Sequence, residues 1–260
     1  MPTTIIRGAT IHYIDQGSGP AIVLLHGFPL DHRMWNGQIE SLSSAGHRVI
    51  APDFRGFGQS PPAGPFSMES LADDVHALAE QLGATLFVLA GLSMGGYVAL
   101  AYARKYPGSL RGLVLLDTKA ESDTPEGREG RGKMIQLVRE KGSRAVGDAM
   151  QPKLLAANAK PGVVKRLRDM TDGTPPITIE HALAAMRDRP DQTGMLSSIQ
   201  VPALVIVGDA DAITPPAVCQ AMQRAISHSQ LVIIRDSGHM TTMEEPEQVN
   251  DAMREFLMRA

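Results

Sequence analysis

Short apolar runs alternate with stretches of helical periodicity along most of this chain. The runs at 21–25, 86–90 and 203–207 are apolar throughout. A run of that length stopped by glycine or a polar residue predicts a strand buried on both faces, as in a parallel sheet. Further strands are predicted at 47–51, 111–116 and 230–235, and a short pair at 4–6 and 11–14 with Gly8-Ala9 as the turn. Between them the spacing predicts helices. The first covers 33–45, with Met34, Trp35, Ile39 and Leu42 at helical intervals. The second is capped by Ser67 and runs to about Leu82, with Asp73, Asp74 and Glu80 on its wet face. Others cover 97–106 and 216–226, and a last one starts near Pro246 with Val249, Met253, Phe256 and Leu257 on its dry side. Strand following helix in this way predicts an α/β fold with a mostly parallel central sheet flanked by helices.

Residues 119–195 break the rhythm. Weak helical patterns at 125–141, 144–150, 160–170 and 178–188 are punctuated by Pro152, Pro161, Pro175-Pro176 and Pro190, with no strong strand. The expected organisation is one core domain made of 1–118 and 196–260, with 119–195 inserted as a helical cap.

The sharpest local signal is Gly91-Leu92-Ser93-Met94-Gly95, between a predicted strand and a predicted helix. G-x-S-x-G in that setting marks a tight strand-to-helix turn. Small residues two before and two after Ser93 let strand and helix approach, and the serine oxygen is left exposed. The helix start adds free N–H groups and a positive dipole end beside any developing oxyanion. An ordinary glycine-rich turn would look the same in isolation; the flanking strand and helix argue against it. The Gly56-Phe57-Gly58 segment lacks the third glycine and the following helix of a dinucleotide site, and it reads as a structural turn.

In a parallel α/β sheet, ligands gather at the C-terminal ends of strands. Four such ends carry chemistry: His26-Gly27-Phe28-Pro29, Ser93, Asp211 and His239. A serine hydroxyl needs a base, the base needs a carboxylate to hold its tautomer, and an oxyanion needs two donors. The chain supplies nucleophile, acid and base in the order Ser93, Asp211, His239. Asp209 is a turn-forming alternative to Asp211, and Asp117, at the end of the preceding strand, is a second. The glycine and proline at 27 and 29 set a backbone able to aim an N–H into a cleft. His26 is expected to brace that loop, and Cys219, inside a predicted helix, to pack. Trp35 suits the wall of a substrate pocket and a packed core equally.

Composition narrows the partners. The chain has 260 residues, a net charge of −3 and no block of like charge, so neither nucleic acid nor a membrane surface is expected as partner. No apolar run reaches the roughly 20 residues that span a bilayer, and no secretory signal is visible at the N-terminus. A single cysteine leaves no pair for an intramolecular disulfide or a cysteine-based metal cluster, and a cytoplasmic location is the simplest expectation.

These residues resemble the α/β-hydrolase family. The similarity rests on His26-Gly27, on Asp53-Phe54-Arg55-Gly56-Phe57-Gly58-Gln59-Ser60, on Gly91-Leu92-Ser93-Met94-Gly95-Gly96, on Gly208-Asp209-Ala210-Asp211 and on Gly238-His239, with only 119–195 matching loosely. Within the family the chain is similar to small esterases, 3-oxoadipate enol-lactonases and cofactor-free haloperoxidases. The resemblance implies Ser93 as nucleophile, Asp211 as acid and His239 as base. It further implies an oxyanion hole made by the backbone N–H groups of Phe28 and Met94, and neither metal nor organic cofactor. Some branches carry the acid where Asp117 stands. Serine at the elbow, where relatives that cleave carbon–halogen bonds or epoxides carry aspartate, implies hydrolysis of small carboxylic esters or lactones through an acyl-enzyme. Perhydrolysis by the same residues, seen as haloperoxidase activity, is the alternative, and a small-molecule receptor of the same fold is a further one.

Overall fold

The computed structural model describes residues 2–260. Eight strands form one sheet: β1 (Thr3–Ile6), β2 (Ala9–Gln16), β3 (Ala21–Leu25), β4 (Arg48–Pro52), β5 (Phe87–Leu92), β6 (Leu110–Leu116), β7 (Ala203–Gly208) and β8 (Ser229–Ile234). Their order is β1-β2-β4-β3-β5-β6-β7-β8; β1–β2 and β2–β4 pair antiparallel and every other pair is parallel. The chain runs outward from β3 to β4, then returns to lay β5 on the other side of β3. The order therefore reverses at β3 and β5, and a crevice opens at their C-terminal ends.

The period-2 geometry of the strands sorts the core into two layers. Val23, Leu25, Leu89, Leu113, Leu115, Val205 and Val207 face one way. They pack with α2 (Met68–Gln81), α3 (Met94–Lys105) and α7 (Pro216–Ala225). Ile22, Leu24, Val88, Ala90, Val114, Leu116, Leu204 and Ile206 face the other way, against α1 (Asn36–Ser44) and α9 (Pro246–Leu257). β3, β5 and β7 carry no polar side chain because both of their faces are covered.

Between β6 and β7 lie α4 (Pro125–Leu154), α5 (Pro161–Gly173) and α6 (Pro176–Arg187), and no strand among the described residues. α4 is broken at Gly142, whose φ of 75° is non-helical, close to the gap expected between 141 and 144. Ile135 and Val138 of α4 join the first apolar layer with Ile179 and Leu183 of α6, whereas Val163 and Leu167 of α5 join the second.

Most element ends fall within a few residues of the sequence expectation, and two differences stand out. α3 begins at Met94, three residues earlier than periodicity indicates, because Gly95 and Gly96 are poor helix formers whose presence is dictated by tertiary contact. A Cβ on Gly95 would lie 2.2 Å from the Leu25 carbonyl oxygen, and one on Gly91 would lie 2.2 Å from that of Gly95. A short helix α8 (Thr241–Glu244) also occupies a stretch expected to be loop.

The Asp53–Ser60 turn is organised by a fully buried carboxylate. Asp53 Oδ1 accepts hydrogen bonds from the backbone N–H and Nδ1 of His32, both at 2.8 Å. Its Oδ2 accepts from His12 Nδ1 at 2.8 Å and from the Gln59 N–H at 2.9 Å. Burial opposes the charge, yet the hydrogen bonds of His12 and His32 outweigh it and hold the carboxyl well below the usual range. A carboxylate whose pKa is depressed stabilises the fold fully above its unfolded value, about 4, and loses that contribution only as pH falls through the lower folded value. Asp53→Asn retains one acceptor oxygen and sets an amide N–H against donors. It is expected to cost about 2–4 kcal/mol at pH 7, read as a lower urea midpoint, and to converge with the parent only in strong acid.

Candidate active site

β5 delivers Ser93 into the crevice. Its backbone is held at φ 53°, unusual for a residue other than glycine, and the turn is tied on both sides. The Ser93 N–H donates to the Leu116 carbonyl, and the Ser93 carbonyl accepts from Thr118 Oγ1 and from the Gly96 N–H. Such strain persists only where the surroundings over-determine it, and it is concentrated at functional positions.

His239, after β8, places Nε2 2.9 Å from Ser93 Oγ. Its Nδ1 lies 2.8 Å from Oδ2 of Asp211, in the loop after β7. Asp211 also accepts the N–H groups of Ile213 and Thr214 on Oδ1 and the Thr214 hydroxyl, at 2.6 Å, on Oδ2. Burial alone would raise this carboxyl, but His239 and the Thr214 donors bring it below the ordinary value. Asp211 and His239 are buried, whereas Ser93 is only partly so. A hydroxyl, an imidazole and a carboxylate joined in this order can pass the hydroxyl proton to the ring while the carboxylate fixes the ring's tautomer.

The other aspartates stand apart from the imidazole. Asp209 Oδ1 accepts the Ser237 N–H. Asp117 is fully buried and accepts the Gly208 N–H at 3.0 Å and the Thr241 hydroxyl at 2.5 Å. Burial, reinforced by the nearby charge of Asp211, pushes the Asp117 carboxyl well above the usual range.

The loop after β3 lies against the serine: a Cβ on Gly27 would be 3.6 Å from Ser93 Cβ. His26 Nδ1 donates to the Gly27 carbonyl at 2.9 Å, and its Nε2 accepts the Phe54 N–H at 3.0 Å. That pair of bonds requires a neutral ring, and burial pushes the His26 pKa down accordingly. The Leu30 N–H closes a turn onto the Gly27 carbonyl, and Thr174, between α5 and α6, donates to the Pro29 carbonyl. The N–H groups of Phe28 and Met94 have no hydrogen-bond acceptor among the described residues. Met94 opens α3, where the first N–H groups of a helix have no intrahelical partner.

Trp35 is fully buried in the second apolar layer and exposes no face to an open cleft. Cys219 is buried in the first layer, and burial pushes its thiol well above the ordinary range. A cavity of about 370 Å³ lies between α4, α6 and the Asp211 loop, lined by Met134, Met150, Leu183, Ile213, Arg131 and Lys153. His12, His32 and Asp53 are the set among the described residues whose donor atoms, all within 4.8 Å, could hold a metal. The two ring Nδ1 atoms both hydrogen-bond to Asp53, which locks the turn without an ion.

Thr118, Thr214, Thr241 and Glu244 escape sequence reasoning. Only Thr214 leaves a trace, as the third residue after Asp211 in a turn-forming pattern.

The fold agrees with wider similarity. An α/β-hydrolase-fold family model matches residues 20–246, and the chain belongs to that family. The chain is 33% identical over 265 residues to the AB hydrolase superfamily protein YisY of Bacillus subtilis, covering 95% of each. It is also similar to a thermophilic esterase from Thermogutta terrifontis, at 42% identity and a TM-score of 0.95, covering 99% of this chain and 98% of that one. A similar enol-lactonase from Burkholderia xenovorans LB400 has 29% identity and a TM-score of 0.92, with 99% and 100% covered. No helix among the described residues is long and apolar enough to cross a membrane.

Proposed function

We propose that this chain is a serine hydrolase of small carboxylic esters or lactones working through an acyl-enzyme. The observation that carries the reading is the continuous hydrogen-bonded path Ser93–His239–Asp211 at 2.9 and 2.8 Å. In this reading His239 Nε2 takes the hydroxyl proton as Ser93 Oγ attacks the carbonyl carbon. The N–H groups of Phe28 and Met94 stabilise the oxyanion, and the field of α3 adds to them. When the intermediate collapses, the C–O bond to the alcohol breaks and His239 returns the proton to the leaving oxygen. Water, deprotonated by His239, then attacks the acyl carbon and releases the acid and Ser93.

The similarity to an esterase and an enol-lactonase supports this substrate class. Residues 119–195 act as a lid in this reading, since α4, α5 and α6 lie between β6 and β7, whose ends carry Asp117 and Asp211.

Mixing with p-nitrophenyl butyrate and quenching early tests the mechanism. A burst of nitrophenol close to one per chain is expected, with the butyryl mass on the peptide containing Ser93. No turnover and no adduct across a series of esters and lactones would overturn it.

A further inference from the structure

Glu244 is a buried acid in α8, five residues beyond His239, and it forms no ion pair among the described residues. Its Oε1 accepts the N–H groups of Gly238, at 3.0 Å, and Met240, at 3.2 Å, the two residues that flank His239. Its Oε2 accepts the Ala156 N–H at 2.7 Å, just past the end of α4. The His239 N–H itself donates to the Leu154 carbonyl at 3.1 Å. Three successive N–H groups of the histidine loop are thereby fixed, two by one carboxylate and one by the chain leaving α4. The approach is close enough that a Cβ on Gly238 would lie 2.5 Å from the Ala156 nitrogen. On the opposite side the same loop is held to the sheet by Thr241 and Asp117.

We propose that Glu244 is a positioning residue that sets the imidazole of His239 by bolting its loop to the end of α4, so that the inserted helices and the base move as one unit. The proposal rests on the reading of His239 as the base. A carboxylate suits the role because two acceptor oxygens on one rigid group can face donors from two segments at once. The carboxamide introduced by Glu244→Gln could serve one segment only, since its amide N–H groups would meet the donors of the other. A misplacement of about 1 Å at a reacting group costs about 100-fold in rate.

The test uses the full chain carrying Glu244→Gln, Glu244→Ala or Ala156→Pro. The proline removes the donor at 156 and sets its ring carbon where the N–H faced Oε2, so it breaks the contact from the α4 side. Leu155 before it is already extended (φ −117°, ψ 148°), as a residue preceding proline requires. Thermal melts identify the folded variants. Steady-state kinetics on p-nitrophenyl butyrate and the rate of Ser93 labelling by a fluorophosphonate follow. Glu244→Ala is expected to lower kcat and the labelling rate together by about 100-fold, and Glu244→Gln and Ala156→Pro by about 10-fold, with KM changed less than about threefold. A folded Glu244→Gln or Ala156→Pro whose kcat and labelling rate stay within about threefold of the parent would overturn the proposal. Failure of the parent itself to label at Ser93 would instead strike the reading of the site.

Discussion

Ser93→Ala is expected to lower kcat on p-nitrophenyl esters by about 10⁴-fold or more, while the thermal midpoint stays within a few degrees of the parent. The two halves of this expectation have separate causes. Oγ is the atom that would form the acyl bond, and alanine has none. What remains is the turnover available to water from the oxyanion donors and binding alone. The fold, in contrast, uses Ser93 through its backbone. Its N–H bonds Leu116, its carbonyl bonds Thr118 and Gly96, and its Cβ is retained. The one side-chain hydrogen bond lost is to His239, which keeps Asp211. Parallel denaturation and ester assays check both halves. A variant that retains more than about 1% of parental turnover would place the nucleophile elsewhere.

The fold was legible because each central strand had to be apolar on both faces and each covering helix on one. Ile22 and Val23, adjacent in sequence, enter opposite layers, and a run with no polar interruption is the trace of that demand. Strand order was not legible, since nothing local to β3 says that β4 and β5 flank it. The start of α3 was hidden for a related reason. Gly95 and Gly96 weaken helix propensity locally, and only the approach of Leu25 and Thr118 explains why nothing larger can stand there. At the site, Ser93, Asp211 and His239 could be singled out because each lies in the turn or loop that follows a strand in a parallel sheet, where strand ends carry the ligand. Glu244 could not, because its partners at 156, 238 and 240 lie in two segments whose meeting is a property of the folded chain. Asp53 is an intermediate case. Its glycine-rich turn is visible in the sequence, but the two imidazoles it gathers, from positions 12 and 32, are not.

Two buried carboxylates at the ends of neighbouring strands are expected to respond very differently to the same isosteric change. Asp211→Asn should lower kcat by about 10⁴-fold, whereas Asp117→Asn should leave it within about tenfold of the parent. In Asp211→Asn the amide oxygen can still accept Ile213 and Thr214, so the amide nitrogen turns toward the imidazole. His239 Nδ1 must then accept a hydrogen bond, which moves the ring proton to Nε2 and aims it at Ser93 Oγ, where a lone pair is required. Asp117 has no such duty. Its oxygens meet the Gly208 N–H and the Thr241 hydroxyl, and an asparagine can accept from the first and donate to the second. Burial already holds the Asp117 carboxyl above its ordinary range, so its neutral form extends to higher pH in the folded chain than in the unfolded one. Across that interval the folded state binds the extra proton, and stability declines as pH rises. Asp117→Asn removes this dependence. Between the unfolded and folded values its stability should be flatter with pH than the parent's, as denaturant midpoints across a pH series would record. If Asp117→Asn instead abolished turnover and Asp211→Asn spared it, the imidazole would take its orientation from the end of β6, and the 2.8 Å contact with Asp211 would be incidental to catalysis.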